Sequence, residues 1–265
     1  MKQQKELYIL SKINIMTLVS GGGTNLQALL EAEKNGKLGP GKLAVVISDR
    51  PKAHALERAK LQGIPIYVVE PDKRLKKEER RIEHSDHICS LARENGISMI
   101  VLAGYLSILE GKILKYYGGR IINLHPSLLP KYGGDGMYGE RVHRAVLSAG
   151  EKESGCTVHI VDEGIDTGPI ILQRKVPVLP GDTPDALADR IHAEEQIAIV
   201  DAVALMAERV QLEIAEKQER EKKQAEAEQR EAERQKADLI QQKKEKRAEI
   251  ELKAVEQSLF GGEEK

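Results

Sequence analysis

Short apolar runs alternate with amphipathic segments between Ile13 and about Val210. The runs INIMTLV, LAVVIS, IPIYVV, SMIVLAG and RIINLH have the length and aliphatic content of strands covered on both faces. Between them, TNLQALLEAEKNG, AHALERAKLQG and KKEERRIEHSDHICSLARENG repeat apolar positions at helical spacing, several closing on Asn-Gly or Gln-Gly stops. The alternation predicts an α/β fold, a mostly parallel twisted sheet with helices on both faces. CTVHIV and GPIILQRKVPV, separated by DEGIDT, predict an antiparallel pair added at one edge. A last helix opens after the cap signal Asp182, Thr183, Pro184 and continues through DALADRIHAEEQIAIVDAVALMAERV.

Beyond Val210 the pattern changes. The segment from Ala215 to Lys253 is dense in charge, and between Ala215 and Ala237 its only apolar residues are alanines. Acid-base pairs four apart, Glu213 with Lys217, Glu219 with Lys223 and Glu226 with Arg230, predict a long solvated C-terminal helix. Two readings stay open for it: a solvated or partly disordered helix with no specific partner, or coiled-coil self-association through Leu239, Ile240, Ile250, Leu252 and Val255. The expected division is an N-terminal extension over 1–11, a domain carrying the chemistry over 12–210, and a charged tail over 211–265.

Composition narrows the function class. A chain of 265 residues holds ample material for a core, and a formal net charge of -1 with 31% charged residues gives no basic excess for nucleic acid. Cys89 and Cys156 lie far apart without metal-ligand spacing, which favours two reduced thiols. The polar start MKQQKELYILSK lacks the apolar core of a signal peptide, and no run approaches the ~20 apolar residues of a membrane span. The expectation is a soluble cytoplasmic enzyme with no membrane or nucleic-acid partner. The histidines and acids do not gather at ligand spacing, so no metal is expected.

Two stretches carry candidate chemistry. In NLHPSLLP, Asn123 and His125 are two apart on a strand, so their side chains share one face at its C-terminal end, where Pro126 stops the ladder. The following loop, DEGIDTGP, supplies Asp166, which beside the imidazole would favour its cationic form. A protonatable imidazole next to a carboxamide donor suits an oxyanion developing on a carbonyl under attack, which is acyl-transfer chemistry. The second stretch, TLVSGGGTNLQALL, reads as strand, three glycines and a helix opening at Thr24 or Asn25. Free amides and the helix dipole there suit one phosphate monoester, while a tight turn with no ligand is the competing reading. Neither common nucleotide fingerprint is present: the phosphate-loop Lys is missing, and Leu26 stands where the dinucleotide pattern has its third Gly.

VSGGGTNLQALL, VLAGYLSIL, INLHPSLLPKYGG, GCTVHIVDEGIDTGPIILQ and VPVLPGDTPDALADRIHAEE occur in that order, and together they resemble the phosphoribosylglycinamide formyltransferases, folate-dependent enzymes of purine synthesis. The resemblance covers roughly Ile13 to Val210. It implies transfer of the formyl group of 10-formyltetrahydrofolate to the amine of glycinamide ribonucleotide (GAR), with Asn123, His125 and Asp166 as the catalytic trio and no metal. It further implies GAR binding by Gly23, Thr24, Asn25 and Glu195. Folate would be bound by Leu106, Ser107, Ile108, Leu109, Asn123, Glu163 and Gly164, with Arg81 aligned less securely. His159 resembles a second family histidine near the site, with a structural role on its strand as the alternative.

The chain departs from the family pattern in three places. The segment 131–145 is longer than the simplest family loop, so no contacts carry over to Asp135, Met137, Tyr138 or His143. Ser107 stands where Arg is common, and the tail after Val210 is foreign to the pattern. The rival functions are another folate-dependent formyl transferase or a deformylase of the same fold, and a scaffold acting through the C-terminal helix.

Overall fold

The apolar runs become strands because both of their faces are covered. The computed structural model describes residues 12–260; the expected N-terminal extension over 1–11 and residues 261–265 lie outside the described residues. The strands are β1 (Ile13–Val19), β2 (Gly41–Ser48), β3 (Ile66–Val68), β4 (Met99–Leu102), β5 (Ile121–His125), β6 (Glu153–Ile160) and β7 (Ile170–Pro177). The helices are α1 (Thr24–Lys34), α2 (His54–Leu61), α3 (Lys77–Glu94), α4 (Lys112–Tyr116), α5 (Glu140–Ser148) and α6 (Pro184–Phe260). Along β1, Met16 and Leu18 join Ile88, Cys89 and Ala92 of α3 and Ile113 of α4 in one core. Alternate β1 positions, Ile15 and Val19, are equally buried on the other face. Burying each such side chain is worth ~1.5–3 kcal/mol, which is why these runs cannot stay in loops.

The sheet order is β3-β2-β1-β4-β5-β6-β7. Every pairing from β3 through β5 is parallel and β6/β7 is antiparallel, as the pattern predicted; β5/β6 is antiparallel as well. From β1 the chain builds outward to β2 and β3, then returns to place β4 on the other side of β1. The loops after β1 and β4 therefore leave in opposite directions, opening a crevice at the C-terminal strand ends where ligands of such sheets bind. The loop after β5 reaches the same end of the sheet.

The apolar pattern did not predict α4 and α5. α4 has five residues, too few for a helical period to show, and α5 follows Gly133, Gly134, Gly136 and Gly139, which mask the onset of a periodic segment.

α6 starts where its cap signal predicted. The Thr183 hydroxyl accepts from the Ala186 N–H at 3.1 Å, and Pro184 takes the first helical position. Leu187, Ile191, Ile199, Val203, Met206 and Val210 are buried. The chain falls into two compact units, the first ending at Glu213 and the second beginning at Ile214. In the second unit, the described side chains from Lys222 to Arg247 are all exposed. Of the three predicted ion pairs only Glu219 with Lys223 forms, at 3.2 Å. Glu213 pairs backward with Arg209 at 2.8 Å, and Glu226 pairs with Lys222 at 4.0 Å. Glu213 and Glu226 have bases both four before and four after, and spacing alone does not choose between them; Glu219 has Ala215 four before and so only Lys223 to pair with. Among the described residues no helix is long and apolar enough to cross a membrane.

Candidate active site

The crevice is a cavity of about 580 Å³ bounded by the loops after β1, β4 and β5, the loop between β6 and β7, α5, and the start of α6. Its volume lies within the ordinary range for a small-molecule site. At one end is the glycine turn. Ser20 ties it to the next loop: its N–H donates to the Gly104 carbonyl at 3.2 Å, and its hydroxyl accepts from the Leu106 N–H at 2.9 Å. On the far side, the Gly21 carbonyl accepts from the Ala55 N–H and the Gly22 carbonyl from Arg58 Nε. Gly23 is required twice over. Its φ is +74°, and a Cβ there would lie 2.6 Å from the Cβ of Ala55. α1 then begins at Thr24 with no side-chain cap, which leaves first-turn amides directed at the cavity lined by Gly23, Thr24 and Asn25. Asn25 Nδ2 donates to Glu195 Oε2 at 3.4 Å, joining the turn to α6. Glu195 is buried, which raises its carboxyl above the usual range; His192, 4.0 Å away, and Asn25 oppose that shift.

At the centre, β5 and β6 bring polar side chains face to face. Their antiparallel register sets Asn123 opposite His159, and the Asn123 carboxamide nitrogen is 3.2 Å from His159 Nε2. His159 Nδ1–H donates to the Ile160 carbonyl at 2.9 Å. Its Nε2 therefore accepts from Asn123 when neutral, or donates toward Asp166 Oδ1, 3.5 Å away, when cationic. His125 Nε2–H donates to the Tyr132 carbonyl at 2.8 Å, and Nδ1 faces Asp166 Oδ2 at 3.4 Å. The Gly134 N–H donates to the same oxygen at 3.1 Å. Tyr132 and Asp166 both have φ 58°, a costly backbone state for residues with a Cβ, and both meet His125 there. Asn123, His125, His159 and Asp166 thus converge.

The electrostatics differ from the sequence expectation in one respect. Burial lowers the proton affinity of His125 and outweighs the opposing pull of Asp166 and the Tyr132 carbonyl, so its pKa falls below the ordinary imidazole value. Asp166 acts in the expected direction, but the dry surroundings dominate. Burial alone would raise the Asp166 carboxyl; His159, His125 and the Gly134 N–H together hold it below the usual range.

The remaining expected residues divide. Leu106, Ser107, Ile108, Leu109 and Gly164 line the cavity, and the Ser107 hydroxyl donates to the buried Asp49 carboxylate at 2.8 Å. Glu163 is exposed and does not line it. Arg81 is also outside the lining and pairs with Glu110 at 2.8 Å. An arginine on a long helix with an acid within reach is satisfied there, and the linear sequence does not reveal that partner. Sequence reasoning passed over Tyr138, Arg141 and His143, which line the cavity from α5 and the turn before it. The signal was the amphipathic run ERVHRAVL, whose Val142 and Val146 are buried.

A sheet with this switch point and an Asn-His-Asp cluster at its strand ends belongs to a known class. Residues 13–203 match the formyl transferase family model, and the chain belongs to that family. Among its relatives, phosphoribosylglycinamide formyltransferase of Haemophilus influenzae is 40% identical over 68% of this chain and 81% of that protein. The trifunctional purine biosynthetic protein adenosine-3 of Drosophila melanogaster is 42% identical over 72% of this chain, a match that spans only 14% of the Drosophila protein. Glycinamide ribonucleotide transformylase 1 of Symbiobacterium toebii superposes with a TM-score of 0.68 at 42% identity, covering 74% of this chain and 88% of that one.

Proposed function

We propose that the chain transfers the formyl group of 10-formyltetrahydrofolate to the primary amine of glycinamide ribonucleotide, giving formyl-GAR and tetrahydrofolate, and that residues 12–210 carry this activity. The observation that carries the proposal is one cavity with amides suited to a phosphate at one end and Asn123, His125 and Asp166 converging at its centre. The glycine turn at Gly23, Thr24 and Asn25 would hold the ribonucleotide phosphate, and Glu195 would accept from ribose hydroxyls. The wall of Leu106, Ser107, Ile108 and Leu109, with the backbone at Gly164, would receive the pterin. The donor set fits such a ligand: an apolar wall for a flat ring, with main-chain groups at its edge.

In the reaction the amine nitrogen bonds to the formyl carbon and the bond from that carbon to the folate nitrogen breaks. One proton leaves the amine and one reaches the folate nitrogen. Meanwhile the formyl oxygen gains negative charge. The Asn123 carboxamide donates to it, and the charge adds a second negative neighbour to Asp166, so the His125 imidazole gains proton affinity as the oxyanion forms. A dry site strengthens both effects. The two free, buried thiols, Cys89 and Cys156, fit a reducing cytoplasm.

The test is a folate absorbance assay on the full chain with 10-formyltetrahydrofolate and GAR, run beside water alone, a sugar-nucleotide amine and methionyl-tRNA. GAR-dependent tetrahydrofolate release is expected. Release at the same rate with no amine present would overturn the proposal in favour of a deformylase.

A further inference from the structure

His143 is buried, at 2% exposure, yet among the described residues its Nδ1 has no hydrogen-bond partner and no hydrogen bond holds the ring. The ring lines the cavity from the first turn of α5. A buried imidazole without partners costs about 1–3 kcal/mol, and structures rarely keep such a group without a use for it. The neighbouring acid does not supply one, because Glu140 is engaged by Arg144 through an i,i+4 pair. Burial lowers the proton affinity of the His143 ring, with His192, Glu140 and His125 as its charged neighbours. His192 lies 4.0 Å from Glu195, which holds Asn25 of the glycine turn. His143, His192, Glu195 and Asn25 line the same cavity. Two residues earlier, Arg141 also lines the cavity, its guanidinium 5.1 Å over the Tyr138 ring and without an acidic partner among the described residues. α5 has no side-chain cap, and of its first-turn amides that of Val142 donates to the Gly139 carbonyl at 3.1 Å.

We propose that the first turn of α5 forms a second binding face for the ribose-phosphate part of the nucleotide, in the same cavity as the glycine turn, with the His143 ring donating to a ribose or phosphate oxygen and Arg141 adding positive charge. This rests on the ribonucleotide reading of the cavity. It assigns a binding contact to a segment for which the family resemblance supplied none, and it accounts for the orphaned ring: the ligand provides the acceptor that the protein does not. The glycine turn alone can grip one side of a phosphate. A second donor would turn that grip into an enclosure and discriminate phosphorylated from unphosphorylated amines.

The test is calorimetric titration of the full chain and of His143→Gln and Arg141→Gln with three separate probes: ribose 5-phosphate, GAR and tetrahydrofolate. His143→Gln is expected to weaken ribose 5-phosphate and GAR about tenfold or more while tetrahydrofolate stays within twofold; Arg141→Gln should weaken the same two ligands about threefold. Equal losses for all three probes would mean that His143 only supports packing, and no loss for the phosphate ligands would mean that it does not touch them; either overturns the proposal. A loss confined to tetrahydrofolate overturns it too. Ribose 5-phosphate separates this inference from the reaction assigned above. If its binding depends on His143 but GAR is not formylated, the α5 contact stands and the choice of formyl acceptor falls.

Discussion

The two ends of the cavity are built from different materials. At the centre are side chains delivered by three separate segments, β5, β6 and the loop before β7, with Asn123 3.2 Å from His159 and Asp166 3.4 Å from His125 and 3.5 Å from His159. At the glycine turn the proposed phosphate site is main chain, and side chains contribute by being absent. A site made of side chains can be altered one chemical group at a time. A site made of amides changes only when the backbone moves. On the proposed function, the difference separates turnover from binding.

That separation can be broken by experiment. The largest expected effect is at His125: the Ala variant should lose about 10²-fold or more in turnover with its circular dichroism unchanged, and a loss under fivefold would remove His125 from the chemistry. Next, Gly23→Ala should raise the KM for GAR about tenfold, because a Cβ in this left-handed position meets Ala55 and forces the turn to move. If kcat falls by as much as KM rises, the glycine turn is not a pure binding element.

A smaller effect sharpens the picture of the centre. The Asp166 carboxylate raises the proton affinity of His125 against the stronger, opposing effect of burial. Replacing it by Asn removes the upward pull, so the limb of the pH–rate profile governed by His125 should move to lower pH. A limb that stays in place would show that the 3.4 Å approach carries no coupling. The smallest effect belongs to the tail: a chain ending at Glu213 should turn over within twofold of the full chain across protein concentrations. The buried residues of α6, from Leu187 to Val210, stay within that truncated chain. What is lost is a helix whose surface pairs are each worth ~0.3–0.5 kcal/mol.

The same contrast explains what could be read from the sequence. The strands were legible because burial on both faces demands unbroken apolar runs, as in INIMTLV, and β1 occupies that run, Ile13–Val19. The glycine turn was legible because glycine betrays a backbone requirement by its type alone. Asn123 and His125 were legible from strand alternation. What their surroundings would do to a proton was not, since the dry pocket that lowers the pKa of His125 is assembled from distant segments. α5 escaped because glycines precede it and its nine residues, about two and a half turns, give little period to count. The pairing of Arg81 was not legible, because its partner, Glu110, lies in another part of the chain and becomes visible only once the chain is folded.

The hydrogen bond from His125 ends on the carbonyl of Tyr132 rather than on any side chain. Exchanging the Tyr132 phenol would lose its hydrogen bond to Glu151 at 2.8 Å but leave that acceptor where it is, so position 132 bears on the imidazole through the shape of its backbone. Proline cannot take its φ of 58° and should scramble the imidazole's orientation, whereas glycine or asparagine should preserve it. The aim of the ring is thereby secured by the course of the chain, out of reach of most single-residue exchanges.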